Sequence, residues 1–123
     1  MSERVRLFVY GTLMRGEANA EALTGSTYIG AAATVAAYRL VALAGYPGLL
    51  PGGQTSVKGE LYLVDPQLLA AMDELEDCPA LFKRAEVELA GGGTAQAYLG
   101  ADPGSLDGPT IPGGDWRQYR AGR

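Results

Sequence analysis

At 123 residues, with 47% apolar and 20% charged residues, the chain suits one soluble globular domain over 1–123 with an ordinary core. A net charge of −4, scattered Lys and Arg, and no signal-like or membrane-length apolar run argue against nucleic acid and membrane partners. Cytoplasm is the expected location. The chain has no histidine and one cysteine, Cys78. This excludes a Ser-His-Asp triad, a Cys-His dyad, a thiolate metal cluster and an internal disulfide. Carboxylates, tyrosines, lysine and backbone remain as chemistry.

The first element is a strand over Val5–Val9, rich in β-branched and aromatic residues, that stops at Tyr10-Gly11-Thr12. Glycine there allows conformations closed to other residues, so the amides of Gly11, Thr12 and Leu13 could turn to one point and cradle an anion. A plain strand-to-loop turn explains the same residues. A short helix is expected over Glu17–Leu23, and one bent strand or two strands over Thr27–Leu43. Tyr46-Pro47-Gly48 and Pro51-Gly52-Gly53 read as turns, and Ser56–Val64 as a strand.

Asp65-Pro66 reads as a helix start, an N-cap followed by proline, with the helix running from Gln67 to about Leu75. Arg84–Leu89, Gly91-Gly92-Gly93 and Thr94–Leu99 form a hairpin pattern. From Gly100 on, Gly, Pro and Asp dominate and regular structure fades. Trp116 and Tyr119 are expected to pin this tail, while Arg117, Arg120 and Arg123 read as solvated. The order of elements lacks the strand–helix alternation of a doubly wound sheet. It predicts an α+β fold: a small, mainly antiparallel β-barrel with flanking short helices.

On the helix, Leu68, Leu69, Met72 and Leu75 make an apolar stripe, and Glu76 continues it. A glutamate in an apolar cavity has its charged form disfavoured, which suits general base and acid work near neutrality. A buried glutamate paired with Arg84 explains the position equally well. Asp73 reads as a neighbour of Glu76, an ordinary surface residue, or a partner of Lys83 or Arg84. Glu74 and Asp77 read as solvated surface, and Cys78 as a small packed residue.

The segments Phe-Val-Tyr-Gly-Thr-Leu-Met-Arg-Gly-Glu-Ala-Asn (8–19) and Met-Asp-Glu-Leu-Glu-Asp-Cys-Pro-Ala-Leu-Phe-Lys-Arg (72–84) closely resemble two signature regions of the gamma-glutamylcyclotransferase-like family. Gly59-Glu60-Leu61-Tyr62-Leu63-Val64-Asp65 is similar to the strand that precedes the family's helix. The resemblance spans about residues 4–99, leaves 100–123 unmatched, and is nearest the gamma-glutamylamine cyclotransferase branch. It implies a substrate loop at Tyr10, Gly11, Thr12 and Leu13, a catalytic Glu76, no cofactor and no metal. Phe82, where many members have tyrosine, and Arg84 complete the expected pocket. Met72 replaces a commoner leucine.

The implied reaction is intramolecular aminolysis of a small-molecule gamma-glutamyl amide to 5-oxoproline and a free amine, by a monomer or weak homodimer. A non-catalytic binding module of the same fold, and removal of a gamma-glutamyl protecting group in biosynthesis, are the alternatives. The leaving amine is not specified by sequence.

Overall fold

The computed structural model describes residues 4–43, 45–76, 82–101, 106 and 108–122. Cys78, Asp77 and Arg123, whose roles were expected from sequence, lie outside these residues. Seven strands form one sheet: β1 (Val5–Val9), β2 (Thr27–Ala33), β3 (Tyr38–Ala42), β4 (Pro47–Pro51), β5 (Lys58–Val64), β6 (Phe82–Glu88) and β7 (Thr94–Gly100). Two helices flank it, α1 (Pro66–Leu75) and α2 (Trp116–Ala121), with a 3₁₀ turn at Ala20–Leu23.

The sheet runs β2-β5-β1-β7-β4-β3, with β6 on β7. Leu7, Phe8 and Val9 of β1 are fully buried, as the centre of a sheet covered on both faces requires. β1 pairs antiparallel with β5 from Val5↔Val64 to Val9↔Glu60. β6 takes one edge of β7 along its whole length. The other edge is shared by two strands in parallel, β1 at Leu7↔Gln96 and β4 at Leu49↔Leu99. The sheet therefore forks at β7, and the end of β1 separates from the start of β4.

Four of the six strand pairings are antiparallel, as the sequence predicts. The barrel is not formed. Closure would need continuous pairing between the end strands β2 and β3. Among the described residues they do not pair, and the crossover between them makes the bridge Thr34↔Leu89 instead.

Two other local expectations are corrected and one open choice is decided. Tyr46-Pro47-Gly48 and Pro51-Gly52 do not simply turn the chain, because Pro47–Pro51 is a strand with Leu49 and Leu50 in the core. For 27–43, where the sequence allows one bent strand or two, two strands form. The tail recovers order: Asp115 caps α2 by accepting the Gln118 N–H at 3.1 Å, and Trp116 is 2% exposed.

Candidate active site

The cavity opens at the fork. About 280 Å³ in volume, it lies between the end of β1 and the start of β4 and is closed by the last turn of α1. Tyr10, Gly11, Thr12, Leu13, Glu76 and Phe82 all line it. Six of the seven residues expected at the site are thus brought together from three separate stretches of chain.

α1 supplies Glu76. Asp65 accepts the Leu68 N–H at 2.8 Å and Pro66 opens the first turn, so the helix starts where the cap dictates. Leu69 and Met72 face the core. Ten residues later the helix ends with Glu76 as its C-cap at the cavity wall. The stripe is narrower than expected: Leu75 is 53% exposed and forms part of the cavity rim rather than the core. Burial alone raises the pKa of Glu76 above the usual carboxylate range. Its carboxylate makes no hydrogen bond or ion pair among the described residues.

Arg84 is the exception. It is absent from the cavity wall, and its guanidinium holds Asp73 at both oxygens, at 2.9 Å from Nε and 3.1 Å from Nη2. Tyr98 Oη also donates to Asp73, at 2.7 Å. The Arg84 hydrogen bonds, followed by that of Tyr98, outweigh desolvation and hold the Asp73 carboxyl below its ordinary pKa. This cluster fastens α1 to β6 and β7 one turn before Glu76. Of the two partners that the sequence left open for Arg84, Glu76 and Asp73, it takes Asp73, because residue 73, not 76, reaches the face of α1 that meets β6.

The loop after β1 supplies backbone. Tyr10 Oη donates to the Tyr98 carbonyl at 2.6 Å, and burial, reinforced by the charge of Glu76, raises its pKa far above the usual phenol value. Tyr10 is a neutral wall and not a base. Met14 N–H donates to Gly11 O at 3.1 Å, and Asn19 N–H returns to Thr12 O at 2.8 Å. The amides of Gly11, Thr12 and Leu13 have no backbone acceptor among the described residues. Gly11 does not take a left-handed conformation, contrary to the expectation from sequence. It is glycine because Pro47 packs against it.

Sequence reasoning missed Tyr46, Pro47, Asn19 and Tyr98, which also line the cavity. Tyr46 meets Phe82 with ring centroids 6.4 Å apart. Tyr46, Pro47 and Tyr98 carry no local mark, since the pairing of β4 with β7 brings them to the site, whereas Asn19 is held there within the loop by its bonds to Thr12. Among the described residues Glu76 is the single charged one on the wall, and no Lys or Arg among them lines it.

Among the described residues no helix is long and apolar enough to cross a membrane, and no group of three His, Cys, Asp or Glu could hold a metal ion.

The chain is similar to known proteins over most of its length. A Vibrio cholerae protein provisionally named a gamma-glutamylcyclotransferase is 44% identical over 112 residues, 91% of this chain and 95% of its own. Gamma-glutamylaminecyclotransferase A of Danio rerio is 35% identical over 124 residues, covering 87% of this chain and 77% of its own. The crystal structure of an AIG2-like protein from Mus musculus superposes with a TM-score of 0.77 at 31% identity, over 90% of this chain and 88% of that one. Residues 7–118 match the family described as Gamma-glutamyl cyclotransferase, AIG2-like. With that match spanning both the loop after β1 and the end of α1, the chain belongs to the gamma-glutamyl cyclotransferase family.

Proposed function

We propose that this protein cleaves a gamma-glutamyl amide by cyclisation. The substrate's α-amino nitrogen attacks its own γ-carbonyl carbon, forming the new C–N bond of a five-membered lactam. The tetrahedral intermediate then collapses with cleavage of the original amide C–N bond, giving 5-oxoproline and a free amine. The nucleophile is already tethered, so positioning supplies much of the acceleration and no protein nucleophile is needed.

Glu76 takes a proton from the α-ammonium, which frees the attacking amine, and returns one to the departing nitrogen. The observation that carries this reading is the unpaired Glu76 carboxylate, its pKa raised by burial, on the same wall as three amides without backbone acceptors. A carboxylate poised toward neutrality suits both transfers. The amides of Gly11, Thr12 and Leu13 receive the α-carboxylate or the oxyanion, in a cavity with no cationic side chain among the described residues.

The leaving group is an amine without a carboxylate beside its nitrogen. A carboxylate there would meet Glu76 and, among the described residues, no compensating Lys or Arg. The Danio rerio relative, named for gamma-glutamylamines, supports the same choice.

The test is 5-oxoproline release, followed by mass spectrometry, from a panel of gamma-glutamyl amines and gamma-glutamyl-α-amino acids. Turnover is expected with the amines first. Glu76→Gln is expected to lose at least ~10²–10⁴-fold in rate. Near-full turnover by that variant would remove Glu76 from the mechanism. Binding of 5-oxoproline with silence across the panel would replace the enzyme with a binding module.

A further inference from the structure

Two more carboxylates lie inside the protein and take no part in the proposed reaction. Glu60 on β5 is 5% exposed, and the Glu17 side chain in the loop after β1 is 7% exposed. A buried carboxylate costs several kcal/mol in desolvation unless it is well partnered. Both of these are partnered by Arg117 of α2, which also holds a backbone peptide that Glu60 binds directly.

That peptide is Arg15. Its N–H donates to Glu60 Oε1 at 2.8 Å, and its carbonyl accepts from Arg117 Nη2. The same guanidinium donates from Nη1 to Glu60 Oε2 at 3.3 Å and from Nε to Glu17 Oε2 at 3.3 Å. Arg120 lies 2.8 Å from Glu17 Oε1, closing the pair from the exposed side. Tyr62 Oη donates to Glu60 at 3.3 Å, and burial together with the charge of Glu60 pushes that phenol up to about 12. Partial burial opposes the charge on Arg117, yet Glu17 and Glu60 outweigh it and raise its pKa. The guanidinium is therefore a permanent cation with all three nitrogens engaged.

The clamped peptide is continuous with the candidate substrate loop. Met14 N–H is bonded to Gly11 O, Glu17 N–H to Met14 O at 3.0 Å, and Asn19 N–H to Thr12 O. A displacement at Arg15 passes through these turns to Gly11, Thr12 and Leu13. α2 lies alongside, and a second cavity of about 110 Å³ between loop and helix is lined by Thr12, Glu17, Trp116 and Arg120.

We infer that Arg117 is a positioning residue, which fixes the substrate loop by holding the Arg15 peptide together with Glu60 and Glu17. It is absent from the wall of the larger cavity and acts on it through the loop. Arginine suits the position where lysine would not. Its planar fork reaches acceptors in three directions at once, whereas an ammonium on a flexible stem does not. The end of the chain thus locks its beginning, since Arg117 of α2 stands 102 residues beyond Arg15 and holds the loop that β1 launches. The kinetic part of this inference rests on the proposed cyclisation, and the structural part does not.

The test compares wild type, Arg117→Lys, Arg117→Met and Arg120→Met by site-resolved amide hydrogen exchange and by steady-state 5-oxoproline release. Both Arg117 variants are expected to exchange faster over residues 11–17 while the amides of β1 and β5 stay protected. They should lose roughly 10–100-fold in kcat/KM, the scale of a small misplacement of positioned groups, with KM raised. Arg120→Met, which keeps the Arg15 clamp, should change far less. A mere fall in the folded fraction lowers apparent kcat without moving KM, so a loss of that kind overturns the inference. Unchanged exchange over 11–17, or exchange rising equally in the sheet, also overturns it. Arg117→Lys serves as the second variant if Arg117→Met does not fold. If wild type releases no 5-oxoproline, the cyclisation reading fails and the exchange comparison still decides the clamp.

Discussion

Gly11 and Pro47 meet so closely that a Cβ on Gly11 would lie 2.5 Å from Pro47 Cγ and 2.7 Å from Cδ. The contact joins the end of β1 to the first residue of β4, the two strands that part company at β7. Both residues line the larger cavity, so the width of the fork at this point sets the shape of the candidate site.

Gly11→Ala should therefore injure the site more than the fold. The pyrrolidine ring is stiff, so either the loop or the start of β4 must shift. Overpacking of this kind costs about 1–3 kcal/mol. The accompanying displacement of the loop amides should lower kcat/KM by roughly 10–100-fold. Thermal unfolding and steady-state kinetics on one preparation check both figures, and wild-type kinetics in the variant would separate the loop geometry from Pro47.

The two acids near the end of α1 should act on stability with opposite sign. Burial raises the pKa of Glu76, so between its ordinary 4.5 and the raised value the native state binds more protons than the unfolded chain. Stability then falls as pH rises through that window and stays lowered above it. Glu76→Gln should gain on wild type through the window and keep the gain at neutral pH. Asp73 behaves the other way, since hydrogen bonds from Arg84 and Tyr98 depress its pKa from 3.8. Its contribution is present above that ordinary value and is lost as pH falls through the depressed one. Asp73→Asn should flatten this acid limb. Urea midpoints measured from about pH 3 to pH 8 test both signs.

Trp116 should anchor the tail by area and not by its polar atom. It is 2% exposed, its ring lies 6.1 Å from that of Tyr119, and its Nε1 has no partner among the described residues. Trp116→Ala should cost about 3–5 kcal/mol. Trp116→Phe should stay within about 1.5 kcal/mol of wild type, because losing a buried unpartnered N–H offsets part of the lost ring. Equilibrium urea unfolding separates the two, and a fully stable alanine variant would detach α2 from the core.

Much of this molecule was legible in its sequence wherever a short stretch carries its own reason. The apolar run at Val5–Val9, the Asp65-Pro66 cap and the three glycines between β6 and β7 each act through neighbours in the chain, and each element appears where it was expected. The same holds for Glu76. Helical spacing after Leu69 and Met72 puts it on the inward side, and its pKa is raised by burial.

What failed were the elements and pairings that distant parts of the chain create. β4 is five residues bounded by prolines, with no propensity to announce it, and it exists because β3 and β7 pair with it. α2 has six residues, too few to be stable alone, and depends on burying Trp116. Arg84 and Arg117 both depart from their expected places, Arg84 standing off the cavity wall on Asp73 and Arg117 leaving solvent for Glu60. The open sheet belongs to the same class. Sequence by itself determined the local elements, the candidate acid and the candidate loop, because helix period, capping and strand composition act over a few residues. Only the tertiary structure decided which strands close, which cation meets which carboxylate and where the cavity opens, because those depend on groups tens of residues apart meeting within a few ångströms.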